Sequence, residues 1–332
     1  MENKVKFLII RLSSIGDIVL TTPVLRCLKS QIQEAEIHYL VKEKFFDVIK
    51  NNPHIYKIHI FSNNLNSIIE QLKYENFDFV IDLHHNIRSY KVKTAFKRVS
   101  FSFNKLNYYK WLMVNFKINK LPPVHIVDRY FDTLKLFDVE NDYKGLDYFI
   151  DQKDTDEASI EIGVLPGEYI AFSIGGAHNT KKMPENLIAE IINAVDYPFI
   201  LLGGNDDAMA ATEIQKMVNR PLLQFCGKLT LNQSAAIIKN AKLIITHDTG
   251  LMHIAAAFKK TILSVWGNTI PEFGMYPYLP DEKSRIFEVK NLRCRPCSKI
   301  GFKHCPKGHF KCMTNQNINE IIDYIRYLIA NN

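Results

Sequence analysis

Short apolar runs alternate with stretches of helical spacing along most of the chain. Val5–Ile10 leads into a Ser-Ser-Ile-Gly turn, after which residues 17–29 place apolar side chains at helical intervals. Further β-like runs lie at residues 37–41, 56–61 and 77–83, with helical patterns at 45–50 and 65–73 between them. Strands that alternate with helices predict a parallel sheet covered by helices.

The second half repeats this alternation after a polar, acidic stretch at residues 151–161, which we interpret as a linker. The strand candidates there are residues 169–174, 199–202, 222–225, 243–246 and 261–265. The pattern predicts an α/β protein with two doubly wound, Rossmann-like domains, residues 1–155 and 165–315, facing a central cleft where a ligand would bind. A final helix in residues 316–332 has an apolar face, and we expect it to pack back on the N-terminal domain.

Length and composition agree with two domains, because 332 residues with 47% apolar side chains can bury a core in each. The sequence has no run of about 20 uninterrupted apolar residues, which is what a membrane-spanning helix needs. We also find no pattern of a signal peptide or anchor near Met1. These features predict a cytoplasmic protein whose six cysteines stay reduced unless they bind a metal.

The formal charge of +7 is concentrated in the first half of the chain. Residues 86–127 hold nine Lys and Arg, no acidic residue and eight interleaved Tyr, Phe and Trp. Such a surface suits a polyanion or an anionic membrane face. A solvated basic face with its aromatic side chains in the core explains the pattern equally well.

Two predicted strand ends carry polar groups that suit a phosphorylated ligand. After the first strand, small residues in Arg11-Leu12-Ser13-Ser14-Ile15-Gly16-Asp17 let backbone N–H groups approach an anion. Asp17 there is either a catalytic carboxylate or simply a helix N-cap. After residues 169–174, Gly175 and Gly176 precede Lys181 and Lys182, which either neutralise a diphosphate or are solvated lysines.

Two more strand ends follow the same plan. Asp206 and Asp207, after the Gly203-Gly204 pair, suit the hydroxyls of a ribose, although one of them is explained by helix capping. The segment 246–253, Thr-His-Asp-Thr-Gly-Leu-Met-His, closes a strand and opens a helix whose N–H groups favour an anion. His253 within it is either part of this site or a core histidine.

These segments, taken in order, resemble glycosyltransferase family 9, the lipopolysaccharide heptosyltransferases. The resemblance rests on S-S-I-G-D, G-G-A-x-x-x-K-x-x-P-E, G-G-x-D and H-D-T-G-L-x-H, and it includes Asp82-Leu83-His84 and His125 with Asp128-Arg129-Tyr130. It spans nearly the whole chain. It implies a GT-B fold and inverting transfer of a heptose or similar sugar from an ADP-sugar to a lipopolysaccharide core or lipid-linked saccharide.

The resemblance also implies roles for individual residues. Asp17 would be the general base and Lys181 the lysine at the donor diphosphate. The implied donor-binding residues are Ser13, Ser14, Gly16, Gly175, Gly176, Asp206, Gly227, Lys228, Asp248, Thr249, Gly250 and His253. Arg88 and Arg129 would bind acidic groups of the acceptor, because arginine suits bidentate contact with oxyanions. No cofactor is expected for catalysis, and the acceptor implies peripheral contact with the inner face of the inner membrane.

Four of the six cysteines, Cys294, Cys297, Cys305 and Cys312, lie within nineteen residues of a tail at 294–312. In a cytoplasmic protein this density indicates a structural zinc site before disulfides. Reduced, packed thiols are an equally good explanation, and disulfides or a redox role come after these.

Three other functions are compatible with parts of the sequence. One is an enzyme of the same fold that uses another nucleotide sugar, and another is a protein with the same motifs that binds a nucleotide sugar without turnover. The basic segment and the cysteines would also suit a nucleic-acid-binding protein. That function leaves the four strand-end motifs unexplained, so we expect no nucleic-acid partner.

Overall fold

The computed structural model describes residues 4–62 and 64–331. The chain divides into two compact units. The first comprises Met1–Leu106 and Val124–Phe149, and the second comprises Asn107–Pro123 and Ile150–Asn332.

The first unit is built on a parallel sheet with the strand order β3-β2-β1-β4-β5. Its strands are β1 (Val5–Ile10), β2 (Ala35–Lys42), β3 (Lys57–Phe61), β4 (Phe79–Asp82) and β5 (Val99–Ser102). Its helices are α1 (Ile15–Val19), α2 (Thr22–Gln31), α3 (Leu65–Lys73), α4 (Ile87–Ala95) and α6 (Ile126–Phe131), whereas α5 (Asn107–Phe116) belongs to the second unit. Two 3₁₀ segments, Glu43–Val48 and Asp132–Phe137, complete the first unit.

The second unit contains another parallel sheet, with the strand order β11-β10-β9-β6-β7-β8. Its strands are β6 (Ile170–Ser173), β7 (Phe199–Leu202), β8 (Leu223–Gln224), β9 (Leu243–His247), β10 (Ile262–Trp266) and β11 (Arg285–Glu288). Its other helices are α7 (Gln152–Ile162), α8 (Glu185–Ala194), α9 (Ala208–Met217), α10 (Leu231–Asn240), α11 (Gly250–Ala257), α12 (Lys311–Thr314) and α13 (Ile318–Ala330). Short 3₁₀ turns lie at Asn179–Lys181, Asn205–Asp207 and Pro271–Phe273.

The helix predicted over residues 17–29 is divided into α1 and α2. The hydroxyl of Thr21 donates to the carbonyl of Ile18 at 2.7 Å, and that of Thr22 donates to Val19 at 2.8 Å. Pro23 follows at the start of α2, where its missing N–H costs nothing. The break therefore has a local cause in residues 21–23.

The predicted linker at residues 151–161 is wrong, because this segment forms α7. The helix packs beside α10, with Ala158 buried and Glu157 accepting a 2.9 Å hydrogen bond from Gln233 Nε2. It ends at Gly163, whose φ of 59° is left-handed. The helix was not predicted because its sequence is polar and its buried residue, Ala158, is too small to produce an apolar pattern.

The expected packing of the final helix on the N-terminal domain is also wrong. Ile321, Ile325 and Leu328 of α13 are at most 1% exposed and join the core of the second unit. They pack in one cluster with Ile188 and Ile191 of α8. The apolar face was predicted correctly, but periodicity does not identify the surface that covers it.

Two edge strands, β5 and β11, were not predicted. Each is largely exposed or half-buried, so neither presents the apolar run that reveals a central strand. In residues 4–62 and 64–331 we find no helix with both the length and the apolar character needed to cross a membrane.

Candidate active site

Asp17 lies in the first turn of α1 and accepts two hydrogen bonds from the residue that caps this helix. Ser14 is the N-cap, and its hydroxyl donates to Asp17 Oδ2 at 2.6 Å while its backbone N–H donates at 3.2 Å. Asp17 is thus at the third helical position of a capping box rather than the N-cap. Its side chain keeps 21% of its surface exposed, so a second molecule can reach the carboxylate.

Arg11, at the end of β1, forms an ion pair with Asp17. Its Nη2 lies 2.6 Å from Asp17 Oδ1, and its other N–H groups donate to the carbonyls of Ser13 and Leu83 and to the hydroxyl of Tyr130. Burial alone would lower the pKa of Arg11, but the Asp17 carboxylate raises it above its ordinary value. Arg11 therefore carries a permanent charge that fixes the position of Asp17. The sequence placed Arg11 in the motif without a role, although its position at a strand end was the available signal.

His84 is a neutral side chain whose pKa is influenced by the charges of Arg11 and Asp17. Burial, together with the charges of Arg11 and Lys105, lowers the pKa of His84 to about 3. Its loop is organised by buried Asp82, whose carboxylate accepts hydrogen bonds from the N–H groups of His84 and His85 and from the hydroxyl of Ser89. With so low a pKa, His84 is a poor proton acceptor at neutral pH.

Lys181 and Asp248 form an ion pair in the second unit. Lys181 Nζ lies 2.6 Å from Asp248 Oδ2, and the hydroxyl of Thr269 donates to the same oxygen at 2.9 Å. The side chains of Lys181 and Asp248 are 15% and 13% exposed. The structure thus brings together two of the predicted site residues, from the loops after β6 and β9.

Lys182 has a different partner. Its Nζ lies 2.6 Å from Asp207 Oδ1, and Asp207 is only 6% exposed. The other carboxylate oxygen of Asp207 accepts from the N–H of Gly204 at 2.8 Å. A Cβ atom at Gly175 would lie 2.5 Å from Asp207 Oδ2, so any other residue there would displace the Asp207 carboxylate. Lys182 and Asp207 therefore hold the backbone of this region in place.

His247, at the end of β9, links the two loops. Its Nε2 accepts from the N–H of Met183 at 3.0 Å, and its Nδ1 lies 3.3 Å from the carbonyl of Gly175. Burial lowers the pKa of His247 to about 4, so the ring is neutral and Nδ1 carries the proton. His247 was predicted only as part of the H-D-T-G-L-x-H motif, without a role of its own, and its place at the end of a strand was the available signal.

The other predicted donor residues lie in several surroundings. Thr249 is the N-cap of α11 and Gly250 its first residue, and Gly176 lies close to Thr249. Asp206 is exposed in its 3₁₀ turn, whereas His253 is 2% exposed. The remaining ones are buried Gly16, half-buried Ser13, and exposed Gly227 and Lys228, with Gly227 at a φ of 75°.

The two predicted acceptor residues differ in access. Arg88 is exposed in the first turn of α4. Arg129 is 5% exposed in α6, where Nη1 of its guanidinium group donates to the carbonyl of Asn104 at 3.5 Å. Burial lowers the pKa of Arg129. Arg88 is therefore the more accessible of the two.

The aromatic side chains of the basic segment divide between surface and interior. Phe103 is 2% exposed, whereas Tyr90, Tyr108, Trp111 and Phe116 are 48 to 66% exposed. No residue of α5 is buried. The aromatic side chains of the segment are thus not all in the core, and α5 presents several of them to solvent.

The four tail cysteines are free thiols, and Cys312 is buried whereas the other three are half-buried. Burial, followed by the charges of Cys297, Cys305 and Cys294, raises the pKa of Cys312 to about 12. Cys294 Sγ lies 3.7 Å from His309 Nε2. Among the residues that the structure describes, no three of these sulfur atoms lie within 4.8 Å of one another.

Comparison with known proteins decides the family. The model of glycosyltransferase family 9 (heptosyltransferase) matches residues 65–307, more than half of the chain. The chain belongs to glycosyltransferase family 9. It is therefore a transferase, as the resemblance predicted.

Relatives of this family-9 chain are similar over most of their length. Lipopolysaccharide heptosyltransferase 1 of Campylobacter coli is 26% identical over 288 residues, which cover 80% of this chain and 84% of the relative. Lipopolysaccharide heptosyltransferase 3 of Escherichia coli K12 is 24% identical, with coverage of 76% and 80%.

Solved structures show the fold of this family-9 chain. A glycosyltransferase family 9 protein from Veillonella parvula has a TM-score of 0.81 at 21% identity, with coverage of 100% and 99%. ADP-heptose lipopolysaccharide heptosyltransferase II of E. coli has a TM-score of 0.75 at 17% identity, with 98% of both chains covered. The predicted α/β architecture of GT-B type is confirmed.

Proposed function

We propose that this chain transfers a heptose from an ADP-heptose donor to a lipopolysaccharide core or similar saccharide acceptor, with inversion at the anomeric carbon. The observation that carries the proposal is the pair of charged sites, Arg11–Asp17 and Lys181–Asp248, at strand ends of a family-9 chain. The names of the relatives support heptose as the sugar and lipopolysaccharide as the acceptor. One solved structure of similar fold, E. coli heptosyltransferase WaaC, contains ADP.

In the proposed reaction, Asp17 accepts the proton of an acceptor hydroxyl. The oxygen then attacks the anomeric carbon, and the bond from that carbon to the diphosphate oxygen breaks. A single displacement of this kind inverts the anomeric configuration. Arg11 orients the carboxylate, while the exposed part of Asp17 allows the hydroxyl to approach. Positioned general bases contribute roughly 10²- to 10⁴-fold to such rates.

The leaving ADP gains negative charge, which Lys181 and the N–H groups at the start of α11 would stabilise. The Lys181 ammonium forms an ion pair with the Asp248 carboxylate. A diphosphate would compete with that carboxylate for the same ammonium. Exposed Asp206 is proposed to accept hydrogen bonds from the ribose hydroxyls.

A panel of nucleotide sugars tests the donor assignment through thermal stabilisation. A ligand that binds only the folded state raises the melting temperature, and the shift grows with the logarithm of one plus the ratio of ligand concentration to Kd. We expect ADP-heptose and ADP to stabilise the protein, and UDP- and GDP-sugars to have smaller effects. A larger shift with another nucleotide would support an enzyme of the same family with a different donor.

The acceptor is proposed to bind to the first unit, and α5 to contact the inner face of the inner membrane from the cytoplasm. Tyr108, Trp111 and Phe116 of α5 are 66%, 48% and 59% exposed. Exposed aromatic side chains among lysines favour the interface of an anionic membrane. The excess of basic residues at 86–127 supports this orientation.

Charge reversal at Arg88, as Arg88→Glu, should raise the acceptor KM and leave the affinity for ADP nearly unchanged. The guanidinium is exposed, so its loss removes a contact to an acidic acceptor without disturbing the core. Steady-state kinetics and ADP titration measure the two effects, and Arg98→Glu in the same basic segment is a matched control. An equal fall in ADP affinity would show that Arg88 does not serve the acceptor.

We propose in addition that Cys294, Cys297, Cys305 and Cys312 bind a structural zinc ion. The proximity of the thiols supports the proposal, because Cys294 and Cys305 both act electrostatically on Cys297 and Cys312, and four clustered cysteines are a common ligand set for structural zinc. The sulfur atoms would have to approach one another, since zinc ligands lie about 2.3 Å from the metal.

Protein purified without added metal should contain one equivalent of zinc that the double variant Cys294→Ser with Cys297→Ser lacks, beside any zinc held elsewhere in the chain. Elemental analysis and thiol titration measure this. Chelation should lower the melting temperature while activity per folded molecule is retained, because the proposed chemistry does not use the metal. Full reactivity of all thiols in zinc-free protein would instead identify the cluster as packed cysteines.

A further inference from the structure

A second cluster of metal-binding side chains lies in the first unit, away from the residues discussed so far. His38 is on β2, His59 is on the neighbouring edge strand β3, and Glu75 follows α3. One ligand atom from each of the three lies within 4.8 Å of the other two. The function proposed above does not use any of these residues.

The two imidazoles share one hydrogen bond. His38 Nδ1 lies 2.9 Å from His59 Nε2, and the rings stack with centroids 5.2 Å apart. His59 Nε2 is also 4.0 Å from Glu75 Oε1. Zinc binds imidazole nitrogen and carboxylate oxygen at about 2.0 to 2.2 Å, which places neighbouring ligands about 3.3 to 3.5 Å apart. The separations of 2.9 and 4.0 Å therefore differ from the spacing of zinc ligands by less than about 1 Å.

Glu36 supplies the support that metal-binding histidines commonly have. Its Oε1 lies 3.0 Å from His38 Nε2. A neutral His38 therefore donates a hydrogen bond from Nε2–H to Glu36 and keeps a lone pair on Nδ1. A carboxylate that orients the far nitrogen of a histidine ligand is the usual arrangement at zinc sites. Glu36 and His38 are both buried, at 5% and 0% exposure, which fixes their side chains.

The cluster has a partly open side at Glu75, whose side chain is 19% exposed. A cation is already present at the open side, because Lys57 Nζ lies 2.5 Å from Glu75 Oε1. The Lys57 side chain is 52% exposed and can turn into solvent when a metal takes its place.

We propose that His38 Nδ1, His59 Nε2 and Glu75 bind a divalent zinc ion that ties the edge strand β3 to β2 and to the end of α3. Mixed nitrogen and oxygen ligands of this kind suit zinc better than calcium or magnesium. His59 then carries its proton on Nδ1, so the hydrogen bond between the rings is replaced by two bonds to the metal. Water completes the coordination on the side of Glu75, which is 19% exposed.

The test is a zinc titration of the full chain carrying Cys294→Ser and Cys297→Ser, which separates this site from the thiols. Calorimetry should show one equivalent bound. His59→Asn and Glu75→Gln should each weaken binding at least about tenfold, and Glu36→Gln should weaken it about 10- to 100-fold without removing a ligand. Because Glu75 is partly exposed, Glu75→Gln is expected to fold and can replace His59→Asn in the test if that variant does not fold. His54→Asn, a half-buried histidine of the same unit outside the cluster, should bind zinc normally.

Two further readouts distinguish a metal site from a purely structural hydrogen-bond network. Lys57→Met should strengthen zinc binding, because it removes the cation that competes for Glu75. Cobalt(II) should give a visible spectrum without a thiolate charge-transfer band. Absence of zinc binding in the cysteine-substituted protein, or equal affinity in His59→Asn, Glu75→Gln and the parent, would overturn the proposal.

Discussion

Replacement of Asp17 by asparagine should lower turnover by roughly 10²- to 10⁴-fold, because an amide cannot accept the proton of the attacking hydroxyl. Asparagine can still accept the hydrogen bond from the N–H of Ser14, so the capping interaction survives. Binding of ADP-heptose, measured by titration, should be nearly unchanged. The largest expected loss in the protein thus falls on kcat rather than on donor affinity.

The structure adds a requirement to this experiment. Asp17→Asn leaves buried Arg11 without its ionised partner, although Arg11 keeps its hydrogen bonds to the carbonyls of Ser13 and Leu83. Some loss of stability is therefore expected, and turnover must be compared at a temperature where both proteins are folded. Asp132→Asn, an exposed aspartate of the same unit, is the matched control. More than about a tenth of wild-type turnover in folded Asp17→Asn would refute the assignment of the base.

Lys181→Ala should lower kcat/KM for the donor by about 30- to 1,000-fold. This fall corresponds to a loss of roughly 2 to 4 kcal/mol of transition-state stabilisation. The substitution removes the ammonium proposed to meet the diphosphate. It also leaves the Asp248 carboxylate facing the same anion without its partner, which adds repulsion. Kinetics at varied donor concentration, with ADP titration beside them, measure the effect.

Two lysine variants serve as controls for this experiment. Lys182→Ala should lower the melting temperature, because buried Asp207 loses its counter-charge, but folded protein should use the donor far better than Lys181→Ala does. Lys216→Ala, on the exposed side of α9, should change neither quantity. Comparable losses of donor use in folded Lys181→Ala and Lys182→Ala would remove Lys181 from its proposed position.

The sequence predicted the central strands because they are buried on both faces and are therefore continuously apolar. β1, β7 and β9 lie within one residue of their predicted limits. Edge strands β5 and β11 lack that pattern, and α7 has the composition of a linker. These three elements are stabilised by contacts with segments distant in sequence, and a local hydrophobic pattern does not record such contacts.

The sequence predicted which motifs form the candidate site, but it did not predict which side chains form ion pairs and hydrogen bonds within it. The sequence located Asp17, Lys181 and Asp248 at strand ends, where ligands bind in parallel sheets. It did not reveal that Arg11 holds Asp17 or that Lys182 is committed to Asp207. Nor did it reveal the His38–His59 contact, whose members are 21 positions apart and meet through the pairing of β2 with β3.

The central claim is tested most directly by incubating the full chain with ADP-heptose and a deacylated lipopolysaccharide core, and analysing both products. The account predicts release of ADP together with an acceptor heavier by one heptose residue, joined with inverted anomeric configuration. Product formation should require the acceptor and should be lost in Asp17→Asn. An acceptor of unchanged mass with ADP-heptose, while another nucleotide sugar is consumed and its sugar transferred, would contradict the assignment of the donor.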